Sequence, residues 1–347
     1  MLIAVGTYSL PTNPGIFVYR LEGDTLAAIQ LSMVAGIENP SFLALSRDCR
    51  RILAISEQMT NDHGQLLTFG IHEGALTLID KLNYRGGGSC FVSADQDCRF
   101  AFIANYGAGT LLLVRLRNDS SSELVQAITF DGHGPVQGRQ EKSHIHAAQL
   151  SPDGRFLICT DLGSDRLYQF HFDPEQDGPL SPFDPPYLQL PPGSGPRHLV
   201  FAQDAMHIYL LTELSGEIFT ISAPGSGLEV ISKQSLVPND YSSVVEAADL
   251  KIHPHADILY ASVRGEINEL VVFKMDPISG NLSFLQRISS EGKSPRSILI
   301  TPDGRLLLAA NEKSDGVTIF RIAENGSLTY TQREIKVNSP ASLICLS

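Results

Sequence analysis

The sequence has no tryptophan and only five cysteines in 347 residues. A cofactor quinone stacked on an indole therefore has no partner here. Cys49, Cys90, Cys98, Cys159 and Cys345 are odd in number, scattered, and form no CxxC pair. That argues against a disulfide framework and a zinc ribbon. Charge is sparse, at 18% of residues, and basic residues are outnumbered, with Lys+Arg 26 against Asp+Glu 38 and a formal net charge of −12. An acidic chain without Lys/Arg blocks is a poor binder of nucleic acid or anionic membrane. If it binds an anion, local arginines must do so against the global field. No apolar run is long enough to span a bilayer. Met1 to Gly6 shows no basic segment followed by a long apolar one, so it does not read as a signal peptide. A soluble cytoplasmic protein is the expectation. There is no GxSxG elbow, and Gly86-Gly87-Gly88 is not followed by a helical pattern, as a phosphate loop would require.

What the chain does have is a core-forming composition, 43% apolar, and internal repetition. A short apolar strand, a Ser-Pro-Asp-Gly-like turn and a second apolar strand recur. The phrase runs Phe42-Leu-Ala-Leu-Ser-Arg-Asp-Cys, then Ala147-Ala-Gln-Leu-Ser-Pro-Asp-Gly, then Ile298-Leu-Ile-Thr-Pro-Asp-Gly. Weaker copies lie near Ser93, Ala202 and His253. With Ser46, Ser93, Ser151, Ala202, His253 and Thr301 as markers, the spacings are 47, 58, 51, 51 and 48 residues. Short strands cut by Gly, Pro, Asn and Asp, four to a unit at this period, predict an all-β, seven-bladed propeller. Ser342 to Ser347 reads as an inner strand. Leu2 to Val5 and Ile16 to Tyr19 read as the strands that complete its blade, so the two termini share one blade and close the ring. Residues 1–347 then form a single propeller domain, with the Pro- and Gly-rich stretch from Pro174 to Pro196 as outer-strand and loop material.

In a propeller the first strand of each blade lines the central channel, so equivalent positions converge. Five residues before each marker stand Ser41, Gly88, His146, Arg197, Ala248 and Arg296, with Ser342 in the C-terminal copy. Eleven residues after the markers stand Glu57, Leu162, Glu213, Arg264 and Glu312; in the second unit the equivalent is Asn105, beside Tyr106. Both registers collect His, Arg and Glu where a packing position would be small or apolar. Unpaired charges buried near a channel are costly, so the convergence marks a site. His144 and His146 are spaced to chelate a metal from one strand, but no acid or cysteine follows nearby to complete a set.

These residues resemble the seven-bladed lactonase family, which includes the propeller-type 6-phosphogluconolactonases and the 3-carboxy-cis,cis-muconate lactonizing enzyme. The resemblance spans nearly the whole chain. It is carried by Gly6-Thr7-Tyr8, Asn39-Pro40-Ser41-Phe42, Ala104-Asn105-Tyr106-Gly107, His144-Ile145-His146, Asp161-Leu162-Gly163, Gly195-Pro196-Arg197-His198, Thr212-Glu213-Leu214 and Ser294-Pro295-Arg296. It implies an active site of His146, Arg197, Glu213 and Arg264. Arg264 stands after Val263, where the family has Asn or Asp before the arginine. Arg296, Asn105, Tyr106, His144 and Glu57 are expected to bind substrate.

The expected activity is hydrolysis of 6-phosphogluconolactone or a similar anionic sugar lactone, without metal or cofactor. His146 or Glu213 would serve as base, and the arginines would hold either the carbonyl or the anionic end. The alternatives are a muconate-type cycloisomerase acting on a carboxylate and a non-catalytic propeller scaffold. A closed propeller needs no partner for stability, so a monomer is expected.

Overall fold

The computed structural model describes residues 1–346 apart from 24, 59–61, 118–120, 204, 223–224, 226 and 239. Its strands form seven four-stranded antiparallel sheets. Among the described residues the one helical segment is a single 3₁₀ turn, Glu312–Ser314. The inner strands of blades 1 to 7 are Phe42–Leu45, Ser89–Ala94, Ile145–Leu150, Pro196–Phe201, Ala247–Ile252, Pro295–Ile300 and Pro340–Cys345. Each touches the next, and the seventh touches the first, so the ring is closed. Blade 7 runs Pro340–Cys345, Leu2–Thr7, Ile16–Leu21, Ala28–Val34 from inside out, which is the shared closing blade expected. The Pro-rich stretch supplies the outer strand Leu180–Gln189 of blade 3.

The second strand of each blade is packed on both faces by neighbouring blades. It therefore reads as an unbroken apolar run rather than an alternation. Phe100–Asn105 and Ile258–Val263 are buried at every position. The outer strands have one exposed face and alternate, as Ala75–Arg85 does with Lys81, Asn83 and Arg85 on it; charge on an edge discourages pairing with another chain.

The repeated turn has a specific chemistry. The Ser46 hydroxyl donates to Asp48 (2.6 Å) and accepts from the Arg51 amide (2.9 Å). Ser151 with Asp153 and Phe156, and Thr301 with Asp303 and Leu306, repeat the arrangement. The fourth turn residue sits at positive φ, 72° at Gly154 and 71° at Gly304, a conformation that glycine adopts without steric cost. Backbone bonds correct the marker of the second unit. Asp95, not Ser93, closes that turn, its amide donating to Phe100 O and its carboxylate accepting from the Arg99 and Phe100 amides. The two spacings around it become 49 and 56 residues. In the closing blade Leu346 takes the marker position, its amide bonded to Leu2 O.

Closure should contribute to global stability. Leu343, 4% exposed on the closing strand, packs in a core cluster with Ile3, Val5 and Leu308. Leu343→Ala should cost about 2–5 kcal/mol, read from the urea midpoint. An unchanged midpoint would show that the closing strand frays without loss to the ring.

Candidate active site

A β-bulge near the start of the inner strands aims the site. The register slips around Cys90, His146, Arg197, Arg296 and Ala341, and at Ala248–Asp249. A bulge leaves one residue out of the ladder and re-aims its side chain. Here it turns that side chain toward the channel mouth at the amino ends of the inner strands. The corrected register replaces Gly88 by Cys90 and Ser342 by Ala341. A second ring of residues follows the second strands. The amides of Tyr8, Glu57, Tyr106, Leu162, Glu213, Arg264 and Glu312 each donate to a carbonyl just ahead of an inner strand in the same blade. Tyr106, rather than Asn105, is thus the member from blade 2.

The two rings enclose a cavity of about 390 Å³, lined by Glu57, Cys90, Tyr106, Arg139, His146, Arg197, Glu213, Glu246, Arg264 and Arg296. At its centre is the Glu213 carboxylate, 3% exposed. Arg197 Nη1 donates to Oε2 at 2.5 Å, Arg139 Nη2 to Oε1 at 2.6 Å, and Arg264 Nη2 lies 3.2 Å from Oε1. Burial alone would raise the Glu213 pKa. The charges of Arg197 and Arg264, with His146 and Arg139, overturn that and hold it well below the ordinary carboxylate value. Burial pushes Arg264 down to about 10, against the pull of Glu213.

Arg197 also donates from Nη1 to His146 Nε2 at 2.6 Å, while its Nε is anchored on Ala248 O at 2.6 Å. A guanidinium only donates, so Nε2 carries the lone pair and the His146 proton sits on Nδ1. Burial first, then Arg197 and His198, drive the His146 pKa well below 6.5. The imidazole is neutral at neutral pH. Two donors here have no partner: His146 Nδ1 and Arg264 Nε are buried without a hydrogen bond.

The four expected catalytic residues, His146, Arg197, Glu213 and Arg264, come together. Val263 before Arg264 does not misdirect the guanidinium, which reaches Glu213. Of the expected substrate-binding residues, Glu57, Tyr106 and Arg296 line the cavity. Glu57 accepts from Tyr8 (2.9 Å) and Ser41 (2.5 Å), and Arg296 lies 5.0 Å above the Tyr8 ring. Two expectations are corrected. Asn105 is fully buried inside blade 2, held by Ser89 (2.6 Å) and Thr110 (2.9 Å). His144 lies behind Tyr106, stacked on its ring at 4.2 Å with Nδ1 2.8 Å from its carbonyl oxygen. The Tyr106 ring packs against both His144 and His146. Among the described residues no three His, Cys, Asp or Glu side chains gather as a metal-ligand set.

Sequence reasoning missed Arg139. It stands in the loop before blade 3, outside both registers. Buried Gln140 pins that loop to Leu162 O and Asp165 at 2.8 Å each and to the Val136 amide at 3.1 Å. Arg139 is thereby held over Glu213 and bonds the Tyr106 hydroxyl. The long spacing ahead of Ser151 was the available signal of an inserted loop. In total four arginines face three glutamates in the cavity. With a neutral imidazole, the pocket is locally cationic in an acidic protein.

A model of the lactonase, 7-bladed β-propeller family matches residues 2–345. The chain is 31% identical over 336 residues to a 6-phosphogluconolactonase of Formosa agariphila, covering 95% of this chain and 94% of the relative. It is 29% identical to a 6-phosphogluconolactonase of Bacillus subtilis, covering 97% and 95%. A solved periplasmic gluconolactonase of Pseudomonas aeruginosa superposes with TM-score 0.93 at 32% identity, covering 99% of both chains.

The neutral imidazoles make a stability prediction. His198, in contact with His146, is pushed down to about 4 from 6.5, chiefly by burial. A lowered pKa means that the unfolded chain binds the proton first, so stability is full above about pH 6.5 and falls on acidification toward the folded value. His198 alone should account for on the order of 3 kcal/mol between pH 6.5 and 4. Urea midpoints measured at pH 7.5, 5.5 and 4.5 should fall in that order. A flat series would contradict neutral buried histidines.

Proposed function

The chain belongs to the seven-bladed β-propeller lactonase family, and we propose that it hydrolyses 6-phosphogluconolactone or a closely similar anionic sugar lactone. The observation that carries this reading is the Arg197 guanidinium shared between His146 Nε2 and the Glu213 carboxylate. It joins a neutral base, an anion-binding donor and the group that fixes both. A lactone bound here would present its carbonyl oxygen to the guanidiniums of Arg264 and Arg197, which line the cavity. Arg197 would turn from His146 toward the carbonyl or the ring oxygen, freeing the Nε2 lone pair for a water proton. Hydroxide character then develops at the water as it attacks the carbonyl carbon, and the arginines stabilise the oxyanion. Glu213, held ionised by three guanidiniums that occupy both of its oxygens, serves as the organiser of those donors. Arg296 and Arg139, at the rim, would take the anionic end, since guanidinium forks match phosphate and carboxylate. The names of the relatives favour hydrolysis over the lactonizing alternative. A cytoplasmic monomer working without a metal completes the proposal.

General-base assistance is worth roughly 10²–10⁴-fold, and one oxyanion donor roughly 10²–10³-fold in kcat. Initial rates on freshly made 6-phosphogluconolactone, taken above the enzyme-free blank, should resist EDTA and fall roughly 10²–10³-fold in Arg197→Ala. Lys233→Ala, on an exposed outer strand paired with Glu217, should match the wild type. Equal rates in the two variants would remove Arg197 from the site.

The pH profile follows from the neutral imidazole. Because His146 is held well below 6.5, its base form persists through neutrality, and kcat/KM should stay level down to about pH 6.5 and decline only below it. A half-loss centred near or above pH 7 would assign the base elsewhere.

A further inference from the structure

Behind His146, on the far side of the Arg197 bulge, stands His198. Its Nδ1 lies 3.1 Å from Asp249 Oδ1 on the inner strand of blade 5. Asp249 also accepts from Lys251 Nζ at 3.0 Å and, through Oδ2, from the Ile298 amide at 3.0 Å. Burial opposes its ionisation, but Lys251 and His198 hold its pKa well below the usual range. A carboxylate only accepts, so His198 carries its proton on Nδ1 and a lone pair on Nε2. That Nε2 is buried without a partner. So is His146 Nδ1, which carries a proton. The two rings are 5.3 Å apart in a T-shaped arrangement. The unfilled positions of the two histidines are complementary, one donor and one acceptor, on adjacent inner strands, and no hydrogen bond joins them as the rings stand.

His198 and Lys251 also border a second cavity of about 500 Å³ at the opposite mouth of the channel, beside the repeated turns. The charged and titratable groups facing the pair are Arg197 on the same strand, Tyr106 from blade 2, Asp249 and Lys251 from blade 5, Arg296 from blade 6, and Glu213 from blade 4.

We propose that His198 and Asp249 form a proton-transfer pair behind His146, fixing its tautomer and carrying its surplus proton to the opposite mouth of the channel. The proposal rests on the lactonase reading. Hydrolysis breaks the acyl C–O bond and forms a new one to the water oxygen. One water proton ends on the released alkoxide. The resulting carboxylic acid is ionised at neutral pH, so each turnover releases one proton. His146 Nε2 takes that proton from water, the rings turn to bring His146 Nδ1 and His198 Nε2 into a hydrogen bond, Nδ1 passes its own proton across it, and the new imidazolium faces the Asp249 carboxylate. Solvent at the far mouth removes it while substrate fills the near one. His146 is the catalytic residue here; His198 and Asp249 act through it.

Two measurements test the pair. In ¹⁵N NMR titrations of the wild type, the ring signals of His146 and His198 should move together, as coupled sites do. Asp249→Asn should lower the pH at which both move, because it removes the anion that favours protonated His198. A shift confined to His198 would overturn the proposal, whatever the activity. On 6-phosphogluconolactone, His198→Ala should lose kcat about 10–100-fold, less than loss of the base itself, with KM little changed. Free imidazole, which fits the far cavity, should restore part of it. A kcat equal to wild type, or a loss that imidazole leaves untouched, would also overturn it. A wild type inactive on lactones would instead defeat the functional reading, while the NMR result still decides the pairing.

Discussion

A carboxylate buried among guanidiniums is the interaction on which the channel depends. Glu213 is 3% exposed and would be costly there alone, since an uncompensated buried charge is among the most destabilising features a fold can carry. Arg197, Arg264 and Arg139 compensate it. The relation is reciprocal, because Arg197 and Arg264 are themselves buried. Removing Glu213 would leave them without their anion. The same grouping sets the state of His146. Burial of the ring and the Arg197 guanidinium on one of its nitrogens hold it neutral. The cluster thus holds a neutral imidazole among guanidiniums, inside a protein whose overall charge is −12.

The fold supplies the geometry by repetition. Seven inner strands bring their first residues to one mouth of the channel, and bulges turn successive side chains inward. Three such positions hold His146, Arg197 and Arg296, while the others hold small residues. The adjoining ring, after the second strands, supplies Glu57, Tyr106, Glu213 and Arg264. Chemistry therefore comes from several blades, and closure through the shared seventh blade keeps them in register. The strands themselves are packed on both faces, which suits a rigid frame for a site that depends on distances near 2.6 Å.

Much of this was legible in the sequence because the turn that marks each repeat has fixed chemistry. In three turns Ser or Thr, Asp and a residue at positive φ stand at set offsets, and the turns at Ala202 and His253 keep the same backbone bond without the hydroxyl. Counting from them placed His146, Arg197, Glu213, Arg264, Arg296 and Glu57 in the cavity. The count failed in blade 2, where Asp95 does the work of the hydroxyl, and so it offered Asn105 for Tyr106 and Gly88 for Cys90. His144 looked like a companion of His146 because alternation along a strand was assumed, whereas a bulge intervenes. Arg139 lies on an inserted loop that no repeat counts. The role of His198 depends on a partner in another blade, Asp249, and pairing across blades has no signature in linear spacing.

Arg296 and Arg139, at the rim of the cavity around Glu213, should select an anionic lactone. The most direct measurement is the ratio of kcat/KM for freshly made 6-phosphogluconolactone to that for uncharged gluconolactone, taken at low and at high salt. Charge-assisted hydrogen bonds are worth about 1.5–3 kcal/mol each, so the account predicts a preference of roughly 10–100-fold for the phosphorylated lactone, diminished by salt. Equal efficiencies, or a preference for the uncharged lactone, would contradict it.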